Sequence, residues 1–490
     1  MSLLTLTTVV PSVSRAASHC SADWPTFQHD AARTAQATCT SLSPVAVPTL
    51  RPRWFLQTPG SVTAEPAIVG SRAFVGDGSG RMHAVDMTTG KDAWTFDVAD
   101  NESHIDRHKV SYGLITSSAT VAQVPSLGST VFFGGGGSVY AVDARTGTPR
   151  WTVDVDPRHA RSTAEVESSP VVWQRPRRAG GAVVFVGMDT NEDGHSANGG
   201  VLALDARTGE LLWKYDAQRG RPVHRLTLRS LDGTACGDIW SSPSLDTRRA
   251  LLFFGSGNCD LPHGGDTQRL TAIRATTGRP VWRFAEPTAN HGGDMDFGAS
   301  AVLTTVGGRD VVVQPGKSGW VYVVDRATGR LVRSVHPAEG SSIGGFIGSV
   351  AVAVDPATRH PVLYGDTAIP INPDGPGSVS GADPTRSTSL HAVDLTTGKV
   401  VWASPAQTPS YAPVTVAGGV VFAPDTTQFS VNAYDASDGV PLWHGLAGGA
   451  TSGGVAVSGN DIVVGAGTYL AQGTDVPPQV PGIWCFTAAG

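Results

Sequence analysis

No stretch of this 490-residue chain carries the apolar spacing of a long amphipathic helix, so a helical bundle is excluded. Net charge is −6, and no Lys/Arg cluster is interleaved with aromatics, which argues against a nucleic-acid or anionic-membrane partner. No apolar run is long enough to span a bilayer. The candidate nearest to one, Leu3–Val10, is diluted by threonines and ends at Pro11. With the small residues up to Ser18 it reads as the apolar part of a secretory signal, although no positive charge precedes it. Residues 1–18 are therefore expected to be a signal or disordered segment, and the protein to be secreted or periplasmic. Cysteine is scarce at five, no two stand in metal-finger spacing, and there is no Cys-x-x-Cys-His, which excludes zinc fingers and covalent haem. In an exported protein Cys20–Cys39 and Cys236–Cys259 are plausible disulfides that leave Cys485 unpaired, a connectivity the sequence does not fix.

Glycine (59) and proline (33) are abundant instead, and they punctuate a recurring phrase. MHAVDMTTGKDAW ends at Trp94, VYAVDARTGTPRW at Trp151, VLALDARTGELLW at Trp213 and LTAIRATTGRPVW at Trp282. VYVVDRATGRLVR ends at Arg333, LHAVDLTTGKVVW at Trp402 and VNAYDASDGVPLW at Trp443. Most copies read as a strand, a tight Asp-x-x-Thr-Gly turn, and a strand ending in Trp. The Asp side chain can bond backbone N–H groups across the turn, and Gly supplies the left-handed residue. Arg274 replaces the Asp in one copy and Arg333 the Trp in another. An eighth copy is split between GIWCFTAAG at the C-terminus and RPRWFLQT near the N-terminus. A second series (AEPAIV, TSSATV, SSPVVW, SSPSLD, GASAVL, GSVAVA, APVTVA, SGGVAV) supplies eight innermost strands. The expectation is one all-β domain over 19–490, an eight-bladed β-propeller with docking tryptophans whose ring is closed by the two chain ends.

In such a ring the starts of the innermost strands converge on one mouth of the channel. Glu65, Thr116, Glu167, Trp240, Asp296 and Tyr411 stand there, with Glu192 and Lys317 in nearby loops. One hairpin, Ala235–Asn258, holds most of the interest. Its strands IWSSPSL and ALLFFGS are joined by Asp246–Arg249, so Trp240 and Asn258 share a rim. An indole beside oxygen ligands suits a planar anionic cofactor held with a hard cation. The same pattern also fits an ordinary strand pair with a core tryptophan.

Across Trp24–Phe486 the repeats resemble those of the quinoprotein dehydrogenases that use pyrroloquinoline quinone (PQQ), most similarly the polyvinyl-alcohol-dehydrogenase-like members. The resemblance implies PQQ and Ca2+ as cofactors. It makes Trp240 the floor under the quinone, Asn258 a calcium ligand, and Asp296 the catalytic base and a further metal ligand, with Asp294 in reserve. Lys317 would contact the quinone oxygens, and Glu192 would be the Glu ligand, with Asp189, Asp193 and Glu167 competing. Ser168 and Ser169 would bind a quinone carboxylate, or serve only the fold, since Ser-Ser-Pro recurs after Trp240. The implied reaction is oxidation of a small or polymeric alcohol to a carbonyl. On that reading calcium would polarise the quinone, Asp296 would take the hydroxyl proton and Lys317 would steady the developing oxyanion. The family's adjacent-cysteine ring is absent from Asp106–Ser118, and no haem domain is expected, so electrons would pass to an external acceptor such as a cytochrome c. The rival reading is a non-catalytic propeller of the same repeats acting as a protein-interaction scaffold. The repeat tryptophans and Asp-Thr-Gly turns are read as structural, and His195 and His291 as simple loop histidines.

Overall fold

The computed structural model describes residues 20–489 except 99–112, 159–161, 177–180, 191–195, 229–234, 258–266, 288–294, 341–343, 368–387, 406–409, 427–428 and 468–478. Among the described residues the strands form eight antiparallel sheets of four, two of which gain a fifth strand. The only helix among them is the 3-10 turn Val47–Thr49, and none is long and apolar enough to cross a membrane. Seven blades follow chain order, their innermost strands being Ala67–Val69, Thr120–Val124, Val171–Gln174, Ser244–Asp246, Val302–Val306, Ala351–Val354 and Thr415–Ala417. The eighth takes Ala456–Ser458, Asp461–Ala466 and Gly482–Thr487 from the C-terminal end and its outer strand, Arg51–Gln57, from the N-terminal end. The ring is thus closed by strand pairing, Phe55 facing Trp484 and Leu56 facing Ile483. Closure leaves no missing blade through which the sheets could slip apart.

One contact, repeated from blade to blade, joins the sheets. In each Asp-x-x-Thr-Gly turn with its Asp, that carboxylate accepts backbone N–H bonds, as Asp86 does from Thr88 and Thr89. The turn glycine has positive φ, 68° at Gly90 and 73° at Gly147. A Cβ there would also fall 2.6 Å from Trp54 or Trp94 of the preceding blade, so Gly serves both backbone and packing. Six of the docking indoles then donate to a backbone carbonyl across the seam, Trp54 to Met87, Trp94 to Ala144 and Trp151 to Ala206, each two residues before the turn's Thr. Trp282, Trp402 and Trp443 donate likewise to Arg326, Ala436 and Leu50. Arg333, the exception in sequence, keeps the role: its guanidinium donates to the carbonyls of Thr396 and Thr397 and lies against Gly398.

The channel is not empty. The stretch Trp24–Ala37 runs along it as a strap, and its backbone carbonyls accept bonds from successive inner strands. Trp24 takes Ile68, Pro25 takes Val121, Ala31 takes Leu245, Ala32 takes Leu303, Thr34 takes Val352 and Ala35 takes Val416, at 2.7–2.9 Å. Gln36–Ala37 adds a parallel strand to the seventh blade. Arg33, fully buried, reaches the carbonyls of Ser169, Pro170 and Pro243 in the third and fourth blades. Cys20–Cys39 closes the loop from which the strap is made. Cys485 is free and buried, while Cys236 is disulfide-bonded and its expected partner Cys259 lies outside the described residues.

Glu65, expected at the open mouth, is turned into the strap. It accepts bonds from Trp24 Nε1 at 2.7 Å and from the backbone and side-chain nitrogens of Gln28. Burial pushes its carboxyl up to about 7, against the opposing pull of those bonds and of Arg33.

Two outcomes are expected. Arg333→Ala removes two guanidinium–carbonyl bonds between blades and lowers unfolding free energy by about 1–3 kcal/mol, whereas Arg333→Trp restores the dock and loses less than half of that, measured by denaturant titration. Glu65 binds its proton more tightly folded than unfolded. Its contribution is therefore intact below about pH 4.5 and is lost as pH rises to about 7, roughly 3 kcal/mol in all. Glu65→Gln should flatten that segment of the stability–pH curve.

Candidate active site at the channel mouth

The hairpin forms with shorter strands than the sequence suggests, Ser244–Asp246 and Leu251–Gly255, in the register Ser244–Phe253, Leu245–Leu252, Asp246–Leu251. Pro243, the Ser241 hydroxyl's bond to the Gly255 carbonyl and the Ser242 N–H bond to Ser300 Oγ leave the preceding residues outside the ladder. The ends still meet, since Gly257 N–H donates to the Asp238 carbonyl at 2.8 Å. Trp240 is half-buried, and its indole lies on Gly298, where a Cβ would come within 2.0 Å of the ring. Asn258, next after Gly257, lies outside the described residues, as do Glu192, Asp193, Asp294, His195 and His291.

Asp296 opens the fifth blade and Lys317 follows that blade's second strand, Arg309–Pro315. Backbone pairing brings them together, Lys317 N–H to Asp296 O at 3.0 Å, and Lys317 Nζ then lies 2.7 Å from Asp296 Oδ2. The same ammonium stands 5.7 Å from the centre of the Trp240 ring. Both ion-pair partners are buried, at 4% and 7% exposure, next to an indole that is not. Trp240, Asp296 and Lys317, separated by up to 77 positions in sequence, form one cluster.

A second group lies on the third blade. Glu165 and Asp189 pair through their backbones, and Asp238 accepts both the N–H and the hydroxyl of Thr190. Burial, then the charges of Asp189 and Glu165, raise the Glu167 carboxyl well above the ordinary range. Among the described residues no three His, Cys, Asp or Glu side chains are set to hold a metal ion, and of Asn258, Glu192 and Asp296, the calcium ligands expected from sequence, only Asp296 is described, along with the competing carboxylates Asp189 and Glu167.

Ser168 and Ser169 are buried and engaged with backbone. Ser168 Oγ accepts the Gly187 N–H at 3.0 Å. Ser169 Oγ accepts the Ser118 N–H at 2.9 Å, one link in a belt repeated by Ser118, Ser242, Ser300 and Ser349 around the channel. The strap escaped the reading of the sequence altogether. Its one signal was a Trp and an Arg, Trp24 and Arg33, in a stretch without the repeat.

The family described as the glucose/ethanol/alcohol dehydrogenase β-propeller domain, a PQQ domain, matches residues 24–361. The outer membrane protein assembly factor BamB family matches residues 319–477. A polyvinylalcohol dehydrogenase of a Pseudomonas species is 27% identical over 88% of this chain and 70% of its own length. One from a Sphingopyxis species is 26% identical over 73% of this chain, which spans about half of that relative. The quinohemoprotein alcohol dehydrogenase of Comamonas testosteroni is 25% identical over 92% of this chain and 71% of its length. Its crystal structure superposes with a TM-score of 0.72 over 96% of this chain and 81% of that one, at 20% identity. BamB of Moraxella catarrhalis superposes less well, at 0.55 over 89% of this chain and 97% of that one, with 15% identity. The dehydrogenase match takes in more than half of the 490 residues and all three members of the mouth cluster, and the chain belongs to this family of PQQ-dependent alcohol-dehydrogenase-type oxidoreductases.

Proposed function

We propose that the protein is a PQQ- and calcium-dependent alcohol dehydrogenase that oxidises an alcohol to a carbonyl and passes the electrons to an external acceptor such as a cytochrome c. The observation that carries this reading is the buried Asp296–Lys317 pair beside the half-buried indole of Trp240. A buried ion pair stabilises a fold little, because desolvation offsets the attraction, so its place at an open mouth is better explained by chemistry. The residues fit the proposed group. The indole, held against Gly298, offers a flat apolar face to a planar ring, and Lys317 offers a cation to an anionic one. Asn258, Glu192 and Asp296 are oxygen donors of the kind a hard cation takes.

When bound, the quinone would supply the two-electron acceptor and calcium the Lewis acid that polarises it. The chain's own part is acid–base and positional. Asp296, as carboxylate, takes the substrate hydroxyl proton at Oδ. Lys317 holds that carboxylate through its ammonium, a cation placed to steady oxygen charge that develops in the reaction. Low exposure keeps bulk water away from both groups and strengthens their interaction with a substrate. Ser168 and Ser169 use their oxygens as backbone acceptors, so a contact with a cofactor carboxylate would go through the remaining O–H proton. The Cys20–Cys39 disulfide supports a site of action outside the cytoplasm. The scaffold reading is supported by the BamB family match over residues 319–477.

A titration with PQQ and calcium separates the two. Binding is followed by quinone absorbance and tryptophan quenching, and dye reduction is assayed with small alcohols and with polyvinyl alcohol. Calcium-dependent binding is expected, weakened about tenfold or more by Trp240→Ala and by Asn258→Ala. Asp296→Asn should keep quinone binding and slow turnover by roughly 10²–10⁴. Lys317→Met should slow it by about 10²–10³. Absence of binding at every calcium concentration would leave the scaffold.

A further inference from the structure

Lys317 sits on a short turn, Gly316–Trp320, closed by Gly319 N–H to Gly316 O and Gly316 N–H to Trp320 O. A turn of five residues has few contacts of its own with which to fix a long, flexible side chain. From one side it is gripped by backbone. Phe346 N–H donates to Gly316 O, and a Cβ on Gly340 or Gly345 would come within 2.3 or 2.1 Å of the Lys317 carbonyl oxygen. On the other side stands Glu286, which follows the fourth blade's outer strand, Pro280–Ala285. Its Oε1 accepts the hydroxyl of Ser318 and, at 2.6 Å, that of Tyr322. Both donors belong to the fifth blade, Ser318 next to Lys317 and Tyr322 two residues after Trp320, so the contact crosses between blades. His336 completes the grip, its ring stacked on Trp320 with centres 4.5 Å apart and its Nε2 3.3 Å from Ser318 O.

We propose that Glu286, acting through Ser318 and Tyr322, is a positioning residue for Lys317, a strut from the fourth blade that holds the ammonium in place against Asp296. Glu286 is itself 7% exposed. A carboxylate is a costly group to bury, and here it is spent on two hydroxyls that a polar amide or a water could satisfy. What the charge adds is a short, strong acceptor that draws both hydroxyls to one point. The docking indoles leave the angle between blades four and five to Trp282, but Trp282 reaches Arg326, at the far end of the third strand from Lys317. The mouth end of the same seam is fixed by Glu286.

The inference rests on the dehydrogenase reading for its catalytic consequence, but its structural content is tested without cofactor. Lysine acylation by an activated ester, read by mass spectrometry on the full chain without quinone, compares Lys317 with the exposed Lys399 and with Lys214, which is buried in the third blade. Wild type should protect Lys317. Glu286→Ala should raise its labelling relative to Lys399 about tenfold, Tyr322→Phe about threefold, and Glu286→Gln, which keeps a carbonyl acceptor, less than twofold. Lys214 should stay protected throughout. In the quinone-loaded enzyme Glu286→Ala should lower kcat with KM unchanged, and add nothing to Lys317→Met. Unchanged Lys317 labelling in both Glu286→Ala and Tyr322→Phe overturns the proposal. So does a parallel rise at Lys214, which would mean general loosening. Failure of quinone binding in wild type would sink the dehydrogenase reading and leave the labelling result standing.

Discussion

The dock of an indole on the next blade's turn glycine is the constraint from which the rest follows. A four-stranded sheet has two faces and two edges, and alone it buries too little to be stable. The indole covers the turn glycine, its Nε1 binds a carbonyl that would otherwise lie unpaired in the seam, and the angle between sheets is set. Repeated around the ring, that angle decides how many blades fit before the chain ends meet. It also decides where the inner strands begin, and so brings Trp240 near Asp296 although they are far apart in sequence. Arg333 shows that the seam asks for a flat group with a donor at its tip, since a guanidinium fills the place of an indole.

That logic explains what could be read in advance. The Asp turn, the glycine and the terminal Trp act within thirteen residues, so the phrase is visible as a phrase, and seven copies with a split eighth give the ring. Trp240, Asp296 and Lys317 were legible by their offsets from those copies. The strap was not, because its bonds run from its own backbone carbonyls to strands tens to hundreds of residues away, and a carbonyl leaves no trace in sequence. Gln28, His29, Arg33 and Ala35 even adopt positive φ without being glycine, which hides the bends. Glu65 was misplaced for the same reason. At the start of an inner strand it was expected to face the mouth, but the strap offers it Trp24 and Gln28. The serines were ambiguous because a hydroxyl that accepts a neighbour's N–H and one that meets a ligand need the same residue in the same position.

The strap changes what the channel can be. Inner strands carry an edge whose N–H groups point at the channel axis, and the strap's carbonyls take six of them in turn. Trp24, Gln28 and Arg33 are fully buried among those strands.

Four buried cations, Arg33, Lys214, Arg326 and Lys317, differ in what answers their charge. Arg33 is answered by five protein oxygens and by the charge of Glu65. Lys214 is answered by the carbonyls of Asn198 and Leu226, and burial still presses its ammonium down to about 8 against the pull of Asp216 and Asp156. In both, backbone oxygens fixed by the fold surround the charge, the arrangement expected of a structural cation. Lys317 is met by a carboxylate, Asp296, at the edge of a half-exposed indole. A carboxylate is a proton acceptor as well as a partner, and a substrate can compete for it where it cannot compete for a carbonyl locked in a seam. Arg326 is also met by a carboxylate, Asp246, but the Thr304 and Val311 carbonyls share its charge in the seam, so what sets the mouth pair apart is its place beside a half-buried indole.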